Sequence, residues 1–99
     1  MAGASRTPGA VDGRQGALAA FRAESASGPR SWGNGPGDRY ARHEHGFHKV
    51  LFCLDGSITF HLDDGDVELG AGDRLDVEPH TEHGATVGPG GCSCVEASR

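Results

Sequence analysis

No stretch of this 99-residue chain approaches the roughly 20 consecutive apolar residues that cross a bilayer. Its opening, MAGASRTPGA, has no apolar centre of the kind a secretory signal needs, and the longest apolar run nearby is Ala17 to Phe21. A soluble, cytoplasmic protein without a membrane partner is expected. Three cysteines, an odd number, make no disulfide framework and fit a reducing compartment. Basic residues are scarce in the second half: residues 1–42 carry six Arg against three acidic groups, whereas 43–99 carry three basic groups against eleven acidic ones. That half repels nucleic acid, and the Arg residues of the first half are scattered singly, so no nucleic-acid partner is expected. A phosphate loop, a strand-to-helix nucleophile elbow and a pair of catalytic carboxylates are all missing. These absences remove several enzyme classes without establishing any other.

Glycine is abundant, with 17 residues, many falling between short alternating runs where they act as turn punctuation for an all-β fold. Residues 1–14 mix Gly, Ser, Pro and Arg with few large apolar groups and read as a mobile tail. RQGALAAFRAES predicts a short amphipathic helix at about 15–25, with an edge strand as the alternative, in a helix-and-linker segment spanning 15–29. A barrel over 30–97 follows, with Trp32 packed on its body. DRYARHEH alternates and places His43 and His45 on one face. KVLFCL is apolar on both faces and predicts a central strand covered on two sides, with a partner subunit as the cover and hence a homodimer. Asp55-Gly56 predicts a turn. SITFHL then points Ile58, Phe60 and Leu62 inward, and VEL, RLDVE, ATV and CSCVEA supply the remaining short strands.

Five of the six histidines fall in two clusters, ARHEHGFHKV and PHTEHG. Two rings at i and i+2 of a strand share a face, close enough to reach one ion, and His83 offers a third ligand from a strand paired nearby. Imidazole suits Fe, Mn, Ni or Zn rather than Mg or Ca. Surface histidines beside Glu44 and Glu82 are the plainer alternative.

The spacing from Gly37 to Val87 resembles the cupins, small double-stranded β-helix (jelly-roll) barrels. Their first motif runs Gly, five residues, His-x-His, three or four residues, Glu, six residues, Gly. Here Gly37 leads to His43 and His45, then Lys49, then Gly56. The second motif runs Gly, five residues, Pro-x-Gly, two residues, His, three residues, Asn. Here Gly72 leads to Glu78-Pro79-His80, then His83, with Val87 at the Asn position. The resemblance implies a jelly-roll barrel and a divalent transition metal held by His43, His45 and His83.

The departures from the pattern bear on function. Lys49 stands where most metal-binding cupins have a ligating Glu, and an ammonium has no lone pair to give. The three-histidine cupins, which include non-haem iron dioxygenases, make the remaining set workable, and His48 is a possible fourth ligand one residue off the Glu position. Lys49 either holds an anionic small molecule as a substrate-steering or basic catalytic group, or snorkels out at the barrel mouth. His80 replaces a turn glycine and is expected at the solvent-exposed turn. Cys53, Cys92 and Cys94 read as small buried hydrophobes. Three functions stay open: a metal-dependent enzyme acting on a small organic acid, a non-enzymatic small-molecule-binding cupin, and a site-less dimeric interaction module.

Overall fold

The computed structural model describes residues 3–99. In chain order the elements are β1 (Ala4–Thr7), α1 (Arg14–Ala23), β2 (Ser27–Asn34), β3 (Arg39–His43), β4 (Lys49–Leu62), β5 (Gly65–Gly70), β6 (Arg74–Val77) and β7 (His83–Ser98). Among the described residues the strands form one antiparallel sheet in the order β1-β6-β4-β7-β2, with β3 also on β7 and β5 also on β4. The all-β fold with one short helix is as the sequence implied.

Two long strands replace four predicted short ones. Asp55-Gly56 does not end a strand: β4 runs through it with register shifts against β7 on either side. Gly56 has φ 73°, and the carbonyl oxygen of Gly91 lies 2.0 Å from where a Cβ would be. Only glycine lets the two backbones pass so closely, and the resulting bulge bends the paired strands without breaking their ladder. In β7 the corresponding irregularity is the Gly88–Gly91 stretch, which joins the predicted strands 85–87 and 92–97.

Alternation along β4 sorts its side chains into two cores. Leu51, Cys53, Ile58 and Phe60 enter the barrel with Leu69, Leu75, Val77, Ala85, Val87, Cys92 and Cys94. Val50 and Phe52 face the other way, where Val95, Ala97 and the helical residues Ala17 and Phe21 cover them. Phe21 meets Phe52 with ring centroids 5.4 Å apart. The two-sided apolarity that suggested a partner subunit is thus satisfied within the chain by α1, and that ground for a homodimer falls away.

The N-terminal segment also differs from the expected tail. β1 pairs with β6 from Ala4↔Val77 to Thr7↔Arg74. Asp73 then fastens the stretch after it, accepting from the backbone N–H of Gly9 and of Gly70, each at 2.9 Å, and from the Arg6 guanidinium at 3.1 Å. These bonds hold its carboxyl below the usual range, with the amide of Gly70 the leading cause. Backbone pairing and a buried acceptor order a segment that has too few large apolar groups to announce itself. No helix among the described residues is long and apolar enough to cross a membrane.

Candidate metal centre in the barrel mouth

His43 is the last residue of β3 and sits directly opposite His83, the first residue of β7. His45 lies two residues beyond the end of β3, so strand alternation is not what aims it. The loop does: its carbonyl accepts the His80 amide at 2.7 Å, and its ring lies against Phe47 at 5.0 Å and 30°. His80 makes this contact from the left-handed region, with φ 63°, which His tolerates better than most residues. Its own ring is exposed, as expected, and reaches Glu44 at 3.3 Å.

The three rings converge. Centroid distances are 4.8 Å for His43–His45, 4.5 Å for His43–His83 and 5.3 Å for His45–His83. One nitrogen from each lies within 4.8 Å of the others. Two nitrogens on a single ion, each about 2.1 Å from it, sit no more than about 4.2 Å apart. The difference is small, and His43 is the exposed member of the three.

Hydrogen bonds set the tautomers. Nδ1 of His43 meets the Ala41 carbonyl and Nδ1 of His83 the Thr81 carbonyl, both at 2.8 Å. A carbonyl only accepts, so in each ring Nδ1 carries the hydrogen and Nε2 keeps its lone pair when the ring is neutral. Nε2 of His45 is buried and has no hydrogen-bond partner among the described residues. Burial is the main influence lowering the pKa of both His45 and His83; Lys49 and His43 add positive potential. Burial thus biases the two inner rings, His45 and His83, toward neutral imidazole, and the unpartnered buried nitrogen of His45 is what a bound cation would satisfy. The residues fit a divalent transition metal.

The cavity measures about 500 Å³ and is lined by the three histidines together with Trp32, Tyr40, Phe47, Lys49, Leu51, Phe60, Ala85 and Glu96. Lys49 shares the inward face of β4 with Leu51 and Cys53, so it points into the barrel rather than out of its mouth. Its Nζ is 3.5 Å from Glu96 Oε1, and the two side chains are only 11% and 13% exposed. Glu96 also accepts from the Trp32 indole N–H at 2.7 Å and faces Arg30 at 3.7 Å. Sequence reasoning missed Glu96. Its signal lay in CSCVEA, where alternation puts Glu96 on the face of Cys92 and Cys94, an acid in line with two core residues.

His48 is not brought to the group. One residue from Lys49, it faces the opposite side of β4, where Nε2 is 2.9 Å from Asp76 Oδ1. Asp76 is also bound by Arg74, which in turn clamps Glu24 just past α1. The fourth-ligand expectation for His48 does not hold in this geometry. Cys53, Cys92 and Cys94 are free and buried.

The profile of the AraC-like ligand binding domain family matches residues 31–95. This chain belongs to that family, within the cupins. It is 34% identical over 64 residues to quercetin 2,3-dioxygenase of Bacillus subtilis, a stretch that covers 64% of this chain and 17% of that enzyme. A double-stranded β-helix protein of Klebsiella pneumoniae superposes with a TM-score of 0.64 at 26% identity, covering 71% of this cupin and 60% of the other chain. The polyketide cyclase RemF of Streptomyces resistomycificus gives a TM-score of 0.64 at 24% identity, covering 71% and 52% of the two chains, and shares the fold.

Proposed function

We propose that this cupin binds a divalent transition ion (Fe, Mn, Ni or Zn) through His43, His45 and His83 and acts with it on a small organic acid in the barrel. The observation that carries this reading is the buried, unpartnered Nε2 of His45 beside two rings whose Nδ1 atoms are committed to carbonyls. An ion of this class, when bound, supplies Lewis-acid polarisation or, if redox-active, electron exchange with oxygen. The chain's own residues orient the ligating nitrogens of His43 and His83, favour the neutral form of the buried His45 and His83, and wall the site with the buried Leu51, Phe60 and Ala85. Likeness to quercetin 2,3-dioxygenase favours oxygen chemistry on the acid. A net positive cavity, once the ion is present, favours an anionic ligand.

A second reading, binding or sensing of a small molecule without turnover, is favoured by the ligand-binding family to which residues 31–95 belong. Metal analysis of untagged protein prepared with and without air separates the possibilities. The first reading expects close to one transition ion per chain, lost in His83→Ala while the β-rich circular dichroism persists. It then expects oxygen uptake with aromatic, keto or thiol acids. Metal without turnover supports the second reading, and no metal with no thermal shift on adding ions rules out both metal-dependent forms.

A further inference from the structure

The Lys49–Glu96 pair has no part in holding the ion, yet it is built into the cavity wall with care. Lys49 is 9% exposed as a whole residue. Glu96 Oε1 accepts from the Trp32 indole on β2 and pairs with Lys49 on β4, which holds that oxygen in place, while Oε2 faces the exposed Arg30 at 3.7 Å. Trp32 and Cys94, Arg30 and Glu96, and Leu51 and Glu96 are directly paired across the strands, which makes this a rigid part of the sheet rather than a loop contact. A lysine alone would present a bare cation. With Glu96 against it, the same wall presents a donor and an acceptor side by side.

That arrangement discriminates between ligand substituents. A hydroxyl accepts from the ammonium and donates to the carboxylate, satisfying both without adding charge. A carboxylate in the same place gains Lys49 but meets the fixed charge of Glu96 in a poorly solvated wall, where like-charge contact is costly. The aromatic residues Trp32, Tyr40, Phe47 and Phe60 around the cavity suit a planar ring joining the two ends. We propose that Lys49 and Glu96 form a selectivity element that favours hydroxylated aromatic monoacids, their acid group directed to the histidine site, over aromatic diacids of the same shape. The proposal rests on the metal-binding reading for the placement of the acid group.

The test measures binding to zinc-loaded full-length protein by calorimetry, with two shape-matched pairs: meta-hydroxybenzoate against isophthalate, and para-hydroxybenzoate against terephthalate. Zinc binding is titrated first and separately, so failure of the metal reading shows before any acid is added. The preference is then measured on zinc-free protein as well. The expected result is that at least one hydroxy acid binds at least threefold more tightly than its matched diacid. Glu96→Gln, which keeps an acceptor for Trp32, shifts that ratio about tenfold toward the diacid. Lys49→Gln shifts it further toward the hydroxy acid. A purely structural role for the pair would move both affinities together. Ratios that stay within twofold in both variants, a wild-type preference for the diacids, or absence of measurable binding by all four acids would overturn the proposal.

Discussion

His43 and His83 face each other across the β3–β7 ladder, and each turns Nδ1 onto the carbonyl two residues before it, Ala41 and Thr81. The same local device on two strands fixes both tautomers with no carboxylate in the second coordination layer. A backbone carbonyl raises ligand basicity less than a carboxylate does, so under the proposed function an ion would be held here without further negative charge drawn into the barrel. That matters where the motif position for a ligating acid is held by Lys49.

Zinc affinity should persist into mildly acidic solution. Protons compete with the metal for imidazole, and an ordinary histidine titrates near pH 6.5. Burial lowers the folded-state values of His45 and His83, so proton competition there begins at lower pH. In the zinc-free protein the same shift has the opposite consequence. The unfolded chain takes up protons first, so stability is fully present above about pH 6.5 and declines as pH falls through the depressed folded values. Competition titrations with a chelator, and urea melts of the apo protein, both between about pH 7.5 and 5, check the two directions. Affinity that drops steeply at the ordinary imidazole value contradicts the burial argument.

His45→Leu should separate stability from binding. The replaced ring has a buried nitrogen that no described residue satisfies. Leaving such a group unpaired costs about 1–3 kcal/mol, whereas a leucine packs against Phe47 without that cost. The variant is expected to gain about 1 kcal/mol as apo protein and to show none of the thermal stabilisation by added zinc that the proposed function expects of the wild type. A variant less stable than the wild-type apo form would mean that Nε2 is satisfied by solvent.

The barrel and the three-histidine group were legible because both rest on spacing. Glycine punctuation marks strand ends, and Gly37, His43, His45, Gly56, Gly72 and His83 fall at intervals that resemble a known pattern. What escaped was decided by contacts remote in sequence. The order of residues 4–11 depends on β6 and on Asp73, more than sixty residues away, and local composition there carries no trace of it. The cover over Val50 and Phe52 was read as a second subunit because apolarity of a strand shows that a face is buried but not by what. The bend at Gly56 was read as a turn, since Asp-Gly has the same composition in a hairpin and in a bulge. The counter-charge of Lys49, Glu96, lies in a segment that otherwise reads as plain core.

His48→Ala should leave zinc affinity unchanged within about twofold, a difference of roughly 0.4 kcal/mol. Its ring faces away from Lys49 and the barrel interior and is engaged by Asp76. Removing it leaves Asp76 with the Arg74 guanidinium, so the loss is that of one partly buried hydrogen bond to a carboxylate, about 1.5 kcal/mol. Calorimetric zinc titration and a urea melt of the same sample read both numbers. A tenfold loss of zinc affinity would return His48 to the ligand set.

Gly56→Ala should be the most damaging small substitution in the barrel. The added methyl group would lie 2.0 Å from the Gly91 carbonyl oxygen, 2.8 Å from its carbon and 3.1 Å from the Cα of Cys92. All three are backbone atoms of the paired strand, so no side chain can rotate aside. The positive φ at Gly56 adds a conformational cost of about 1 kcal/mol. Gly37→Ala provides the control: φ there is 76°, close to that of Gly56, but nothing lies within 4 Å of the new methyl group. The control therefore registers backbone strain alone, and the difference between the two melts isolates the close approach of β4 and β7. Gly56→Ala is expected to cost at least about 2 kcal/mol more than Gly37→Ala. Equal losses would show that the bend at Gly56 relaxes freely, and that the ladder between these two strands does not need the bulge to hold its shape.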